Sequence, residues 1–296
     1  MSDSSTAPST APASVRVITD SSSDLPADIA DELDIVIVPL TIRFGDEEFV
    51  DREDLSVAEF WSRCVNAPTL PATAAPAPGQ FEAAYRAAAV DGMTSVLVVS
   101  LSGDLSATMQ SAQLAARTVQ ADDGIELDVR VVDSRSVSMG LGTIVLACAR
   151  AARDGATIEV VEALAGDLVE RNRVFAALDT LENLKKGGRI GGAKAMLATA
   201  LSIKPIIEVS GGTVEQAGKQ RTRSKALAFL VDKVRAFEGN IENLAVMHAD
   251  CSDVDLFVDM LTPLYPGEIV VGEIGPVIGS HGGRGTIGVA FQVTAT

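Results

Sequence analysis

Three times in its first half this chain follows a short hydrophobic run with a loop of serine, threonine and glycine that opens a helix. Val15 to Thr19 leads into Thr19-Asp20-Ser21-Ser22-Ser23-Asp24-Leu25-Pro26. Ser95 to Val99 leads into Ser100-Leu101-Ser102-Gly103-Asp104-Leu105-Ser106, and Val129 to Val132 into Asp133-Ser134-Arg135-Ser136-Val137-Ser138-Met139-Gly140. Short apolar runs bounded by such loops read as buried strands, and strand–loop–helix alternation favours a parallel sheet. In an open parallel sheet, the loops beyond the carboxyl ends of the strands line the ligand crevice. One serine-rich loop is a helix cap; three in register predict a lining.

The rest of the first half fits that plan. Ser23 or Asp24 can cap a helix over Pro26 to Leu33, with proline in its first turn, and Ile35 to Leu40 reads as a second strand. Thr41 to Val50 continues it or turns as a hairpin through Phe44-Gly45-Asp46, and Leu55 to Val65 is an amphipathic helix with Ser56 as a cap. The proline-rich stretch Pro68 to Gly79 reads as an ordered, extended loop of restricted backbone. Helices are expected over Gln80 to Ala89, up to about Val119, and over Leu141 to Arg153.

Beyond Gly155-Ala156-Thr157 the pattern changes. A helix over Ile158 to Asn172 precedes a strand over Val174 to Ala177, and Ile203 to Val209 turns back through the hairpin signal Ser210-Gly211-Gly212-Thr213. A helix follows over Ser224 to Phe237, then a strand over Leu244 to His248 and a helix over Val254 to Leu261. Strands over Ile269 to Ile274 and Thr286 to Gln292 flank a glycine-rich loop, Gly275 to Gly285. The expected fold is α/β in two domains: a Rossmann-like parallel sheet over residues 14–160, and a smaller α/β domain with a mixed sheet over residues 161–296. Residues 1–13 read as a disordered Ser/Thr/Ala/Pro-rich tail with no apolar h-region of a signal peptide.

Composition excludes several function classes. With 40 acidic against 24 basic residues the net charge is −16, which repels nucleic acid over most of the surface, so no nucleic-acid partner is expected. An anionic ligand must then be met by a local cluster of donors. Two histidines rule out a His-rich metal site, and neither HExxH nor CxxC occurs, so neither metal nor cofactor is expected. The scattered Cys64, Cys148 and Cys251 read as reduced thiols, consistent with a cytoplasmic location. No apolar run reaches 18 residues, so no segment is expected to span a membrane.

The candidate site residues lie on loops. In Asp179 to Gly192, a helical run carrying Leu178, Leu181 and Leu184 is expected to end at Gly187 in positive φ, with a new helix from about Ala193 through Ala200. Arg189 and Lys194 would stand at that corner, which serves either as an anion-recognition or docking corner or as an ordinary helical hairpin. His281, among Gly279, Ser280, Gly282, Gly283 and Arg284, can meet a negative group or be a plain loop histidine. Arg221 and Arg223 flank Thr222 at a strand end, where residues two apart share a face, so both can point into a cleft. Thr73, Ser102 and Ser106 offer hydroxyls near the sheet edge, although Ser102 and Ser106 can equally be helix caps. There is no G-x-S-x-G, Walker A loop or dinucleotide fingerprint, and no complete catalytic set. A binding protein fits better than a free-standing enzyme.

Together these motifs resemble the DegV family, the bacterial fatty-acid-binding proteins that serve as the FakB component of a fatty acid kinase. The matching pieces are Thr19-Asp20-Ser21 with Asp24-Leu25-Pro26, Thr73 with Pro76-Ala77-Pro78-Gly79, Ser102 to Ser111, and Val132 to Gly140. Leu178 to Gly191, Arg221-Thr222-Arg223 and Ile274 to His281 continue them, in family order from Val15 to Phe291. The resemblance implies a long-chain fatty acid buried between two α/β domains, the C-terminal one closing over the head group. A partner ATP-dependent kinase subunit would phosphorylate the carboxylate to an acyl phosphate for phospholipid synthesis, with transient membrane contact allowed. Carried over, Thr73, Ser102 and the Gly103 N–H would bind the carboxylate, with His281 and Arg221 or Arg223 close to it. Arg189, Ser106 and Ser280 would stand near the phosphate or the kinase. The chain departs from the family where Thr-Ser-Gln-Pro-Ser reads Thr73-Ala74-Ala75-Pro76-Ala77, where paired serines read Ser102-Gly103-Asp104, and where a tyrosine is Met109. The rival expectations are a stand-alone phosphotransferase or hydrolase using His281, and a regulatory or transport module for another hydrophobic acid.

Overall fold

The structure, a computed structural model, describes residues 14–67, 69–199 and 203–295. The expected tail 1–13, Pro68 of the proline-rich stretch and Ala200 of the expected helix lie outside the described residues.

Four parallel strands form the first sheet in the order β2 (Val36–Val38), β1 (Val15–Asp20), β6 (Ser95–Ser100) and β7 (Asp128–Asp133). Parity along β6 sets its two faces. Val96 and Val98 pack with Phe81, Tyr85 and Ala112 of α3 (Pro78–Val90) and α4 (Thr108–Gln120). Leu97 and Val99 join the opposite core with α5 (Met139–Arg153) and α6 (Ile158–Arg171). Short α1 (Ala27–Glu32) links β1 to β2. A second, antiparallel sheet of three strands runs β4 (Glu47–Val50), β3 (Thr41–Phe44), β5 (Ala72–Ala74), with α2 (Val57–Asn66) between β4 and β5. The proline-rich stretch is therefore partly a strand, fixed by tertiary pairing rather than by propensity.

The third sheet has six strands in the order β10 (Thr213–Gln220), β9 (Lys204–Ser210), β8 (Asn172–Ala177), β13 (Ile287–Val293), β11 (Ile241–His248) and β12 (Val270–Glu273). All its pairs are antiparallel except β11 with β12. One face, through Phe175, Ala177 and Ile206, packs on α8 (Arg223–Arg235) and α9 (Val254–Leu261). The other, through Val174, Val209 and Met247, joins the core that contains α5. Helix α5 begins Met-Gly-Leu-Gly-Thr-Ile-Val-Leu and is buried on every side over that stretch, as a helix apolar all round must be. It lies between the first and third sheets and belongs to the core of both. The expected division between residues 160 and 161 falls inside α6.

Four local expectations are corrected. The helix after Leu178 is only α7 (Glu182–Lys186), because the Leu178 N–H donates to the Pro205 carbonyl and extends the sheet instead. Gly187 keeps an ordinary φ of −73°, and Gly188 takes the left-handed turn at +75°. The expected helix from Ala193 is a 3₁₀ segment over Gly191–Thr199. The glycine-rich stretch before β13 is no loop: Pro276–Gly282 forms α10, opened by proline at its first position.

Candidate functional site

Between the third sheet and the loops of the first lies a cavity of about 210 Å³. This exceeds the ~150 Å³ of an engineered apolar cavity that admits benzene. Val174 and Ala176 of β8 with Ile207 and Val209 of β9 form its floor, alternate residues of strands whose other faces pack on helices. Leu40, Leu101 and Val137 come from the loops beyond β2, β6 and β7, and Val277 and Ile278 from α10. Of the three serine-rich loops read in the sequence, those after β6 and β7 line the cavity, whereas the loop after β1 contributes none of the lining, and the walls are mainly aliphatic.

Polar groups gather at Thr73, Ser106, Arg189 and His281. Thr73 pairs with Ile42 on β3; Ala72 and Ala74 on either side are exposed, so strand parity turns Thr73 inward. Val277, Ile278 and His281 share a face of α10 through i, i+3 and i, i+4 spacing. Gly279 lets that helix approach α2, since a Cβ there would stand 2.9 Å from the rings of Phe60 and Trp61. The His281 Nε2 lies 3.0 Å from Thr73 Oγ1. Its Nδ1 is buried without a partner and faces Gly187, where a Cβ would come within 2.4 Å. Burial, with Arg189 adding repulsion, brings the imidazole down to about 4, so it is neutral near pH 7. Arg189 donates to two backbone carbonyls, Gly187 at 2.6 Å and Leu105 at 3.2 Å, neither of which neutralises its charge. The Ser106 Oγ lies 2.9 Å from Thr108 Oγ1 and accepts from the Thr108 N–H in the turn leading into α4, whose N-cap is Ala107, while facing the cavity.

Other expected site residues are committed elsewhere. The fully buried Ser102 hydroxyl donates to the Gly212 carbonyl at 2.6 Å, tying the β6 loop to the β9–β10 turn, and does not line the cavity. The Gly103 N–H donates to the Asp133 carboxylate at 3.3 Å and borders a shallower depression next to the cavity. Arg221 is exposed, and Arg223 pairs with Asp253 at 2.9 Å and donates to the Gly285 carbonyl. The two arginines share no face because Thr222 caps α8, so Arg223 is already helical. Ser280 donates to the Pro276 carbonyl one turn back at 2.7 Å; its neighbour His281, about 100° around the helix, takes the cavity side. Ser138, from the third serine-rich loop, lines the cavity as that loop's pattern predicts, and Thr286, at the end of the glycine-rich stretch, lines it without any signal in the sequence. The alternating apolar residues of β8 were the available signal for the floor.

Among the described residues there is no group of three or more His, Cys, Asp or Glu placed to hold a metal, and no helix long and apolar enough to cross a membrane.

The sequence model of the DegV family, described as an uncharacterised protein family, matches residues 14–294. The chain belongs to the DegV family. A DegV domain-containing protein of Mycobacterium tuberculosis is 36% identical over 287 residues, covering 95% of this chain and 98% of its own. One from Streptomyces coelicolor is 33% identical over 282 residues, covering 94% of this chain and 98% of its own. Among solved structures, the fatty-acid-binding DegV family protein of Thermus thermophilus superposes with a TM-score of 0.85 at 34% identity, covering 95% of this chain and 99% of its own. DegV of Bacillus subtilis, described as a fatty acid binding protein, gives 0.85 at 25% identity, with 95% and 99% covered. The DegV fold, a parallel sheet joined to a mixed sheet, is the fold of this chain.

Proposed function

We propose that this protein binds a long-chain fatty acid in the cavity between its sheets and presents the carboxylate to a partner ATP-dependent kinase, which converts it to an acyl phosphate. The observation that carries this reading is one aliphatic cavity with its polar groups gathered at Thr73, His281 and Arg189. The Thr73 hydroxyl can donate to a carboxylate only if it accepts from His281, which sets the imidazole as the Nε2–H tautomer. A neutral histidine then orients the threonine, and the Arg189 guanidinium supplies the positive charge. Burying about 15 methylenes at ~0.8 kcal/mol each offers roughly 12 kcal/mol before the costs of association, so the tail supplies affinity and the head group supplies orientation. The one imidazole beside the Thr73 hydroxyl has no partner on its Nδ1 to orient it as a base, which supports a non-catalytic component; in this reading it works in the cytoplasm with a separate kinase. The Thermus and Bacillus relatives, described as fatty acid binding, support the ligand class.

The test is mass spectrometry of small molecules released when the purified protein is denatured. A stoichiometric long-chain fatty acid is expected. An empty protein whose melting temperature does not rise with added fatty acid sinks the ligand reading. The kinase step is tested by adding ATP with and without the ATP-binding subunit of a bacterial fatty acid kinase to the loaded protein. Acyl phosphate is expected only when that subunit is present, and acyl phosphate from the chain alone overturns the non-catalytic assignment.

A further inference from the structure

Asp24 has no part in the head-group chemistry above, yet it is 2% exposed and held in left-handed backbone at φ 52°. One carboxyl oxygen accepts from the Gly275 N–H at 2.9 Å, and the other accepts from the Ser138 hydroxyl. Gly275 immediately precedes α10, the helix that carries His281. Ser138 immediately precedes α5 and lines the cavity. Two glycines make room for this approach: a Cβ at Gly275 would lie 3.2 Å from the carboxylate, and one at Gly272 would lie 2.7 Å from the Asp24 carbonyl oxygen. A single side chain from the first loop of the parallel sheet therefore fastens the starts of two helices that border the cavity.

We infer that Asp24 is a positioning residue for the head-group site: by clasping the start of α10 it holds His281 against Thr73, and its ionisation strengthens that hold. The inference rests on the fatty-acid reading. Ionised, the carboxylate accepts from both Gly275 and Ser138. Protonated, it becomes a weaker acceptor for the Gly275 amide, and its own O–H turns toward Ser138 Oγ, reversing the sense of that bond. Burial raises this acid to about 7, with Ser138, Gly275 and the Arg52 charge favouring the ionised form and Asp51 opposing it. The clasp therefore tightens as pH rises through neutrality.

The experiment follows the Gly275 amide by ¹⁵N NMR across pH in ligand-free protein and measures the dissociation constant of a fatty primary amide below and above the midpoint. The amide probe does not itself titrate in this range. For the native chain, a Gly275 titration with its midpoint at about 7 and severalfold tighter binding above it are expected. In Asp24→Asn both should be flat, with amide affinity below that of the native chain above the midpoint. If that variant does not fold, Ser138→Ala removes one donor to the ionised form and should move the Gly275 midpoint upward. A Gly275 amide that does not titrate near neutrality, or an Asp24→Asn protein with native affinity and pH profile, overturns the clasp. Failure of both fatty acid and fatty amide to bind any variant, with the Gly275 titration intact, overturns the ligand reading and the positioning role with it.

Discussion

Thr73 and His281 are 208 positions apart in the chain and 3.0 Å apart in the fold. Replacing Thr73 with valine keeps the shape and removes the hydroxyl, so fatty acid binding should weaken roughly tenfold, about 1.4 kcal/mol, in a calorimetric titration. Arg189→Ala removes the charge at the same end and should weaken it roughly 10- to 100-fold. Buried titratable groups act on stability in opposite senses. His281 sits at about 4 in the fold against 6.5 when unperturbed. Between those values the unfolded chain binds more protons, so the stability this residue contributes is present above 6.5 and is lost as pH falls toward 4. Asp51 is raised from 3.8 to about 6, chiefly by burial, so the folded state holds the extra proton and stability is lost as pH rises through that window. Thermal melts against pH should show Asp51→Asn losing that fall and His281→Asn losing the opposing rise. The residue types at the site were legible in the sequence. Their partners were not, because Ser102 and Arg223 are equally good donors whose acceptors, Gly212 and Asp253, are distant in the chain.

Adjacent glycines after α7 separate two costs that are often merged. Gly187 has an ordinary φ, and its constraint is the histidine ring 2.4 Å from where a Cβ would stand. Gly188 has φ +75° and open space around it. Gly187→Ala should therefore push His281 off Thr73, lowering both ligand affinity and stability, the latter by about 1–3 kcal/mol. Gly188→Ala should cost about 1–2 kcal/mol of stability with binding unchanged. Melting curves and binding titrations on the pair distinguish the two effects. At this scale α5 was readable because its run is apolar all round, whereas β5 and α10 were hidden. Alanine and proline do not advertise a strand, and three glycines in Gly275 to Gly282 do not advertise a helix. Pairing with β3 makes the first, and packing of Gly279 on Phe60 and Trp61 makes the second.

At the scale of the whole molecule, ligand and fold share one interior, since α5 serves both sheets and the cavity opens beside its first turn. Ala176→Phe would project a ring from β8 into the cavity and should reduce fatty acid affinity at least tenfold, on the order of the cost of overfilling a packed site. The native chain should gain stability with ligand, about 2.7 kcal/mol at a hundredfold excess over its Kd, and the variant about 1.4 kcal/mol or less at the same ligand concentration. Differential scanning calorimetry with and without fatty acid reads both. The sequence by itself determined the strand–loop–helix alternation, the hairpin at Gly211-Gly212 and the absence of a nucleophile motif, because periodicity, turn chemistry and composition are local properties. Only the tertiary structure decided which hydroxyl faces the cavity, which arginine is engaged elsewhere and how α10 is held. Those outcomes depend on acceptors and close approaches supplied by segments 30 to 251 residues away, and no local pattern encodes them.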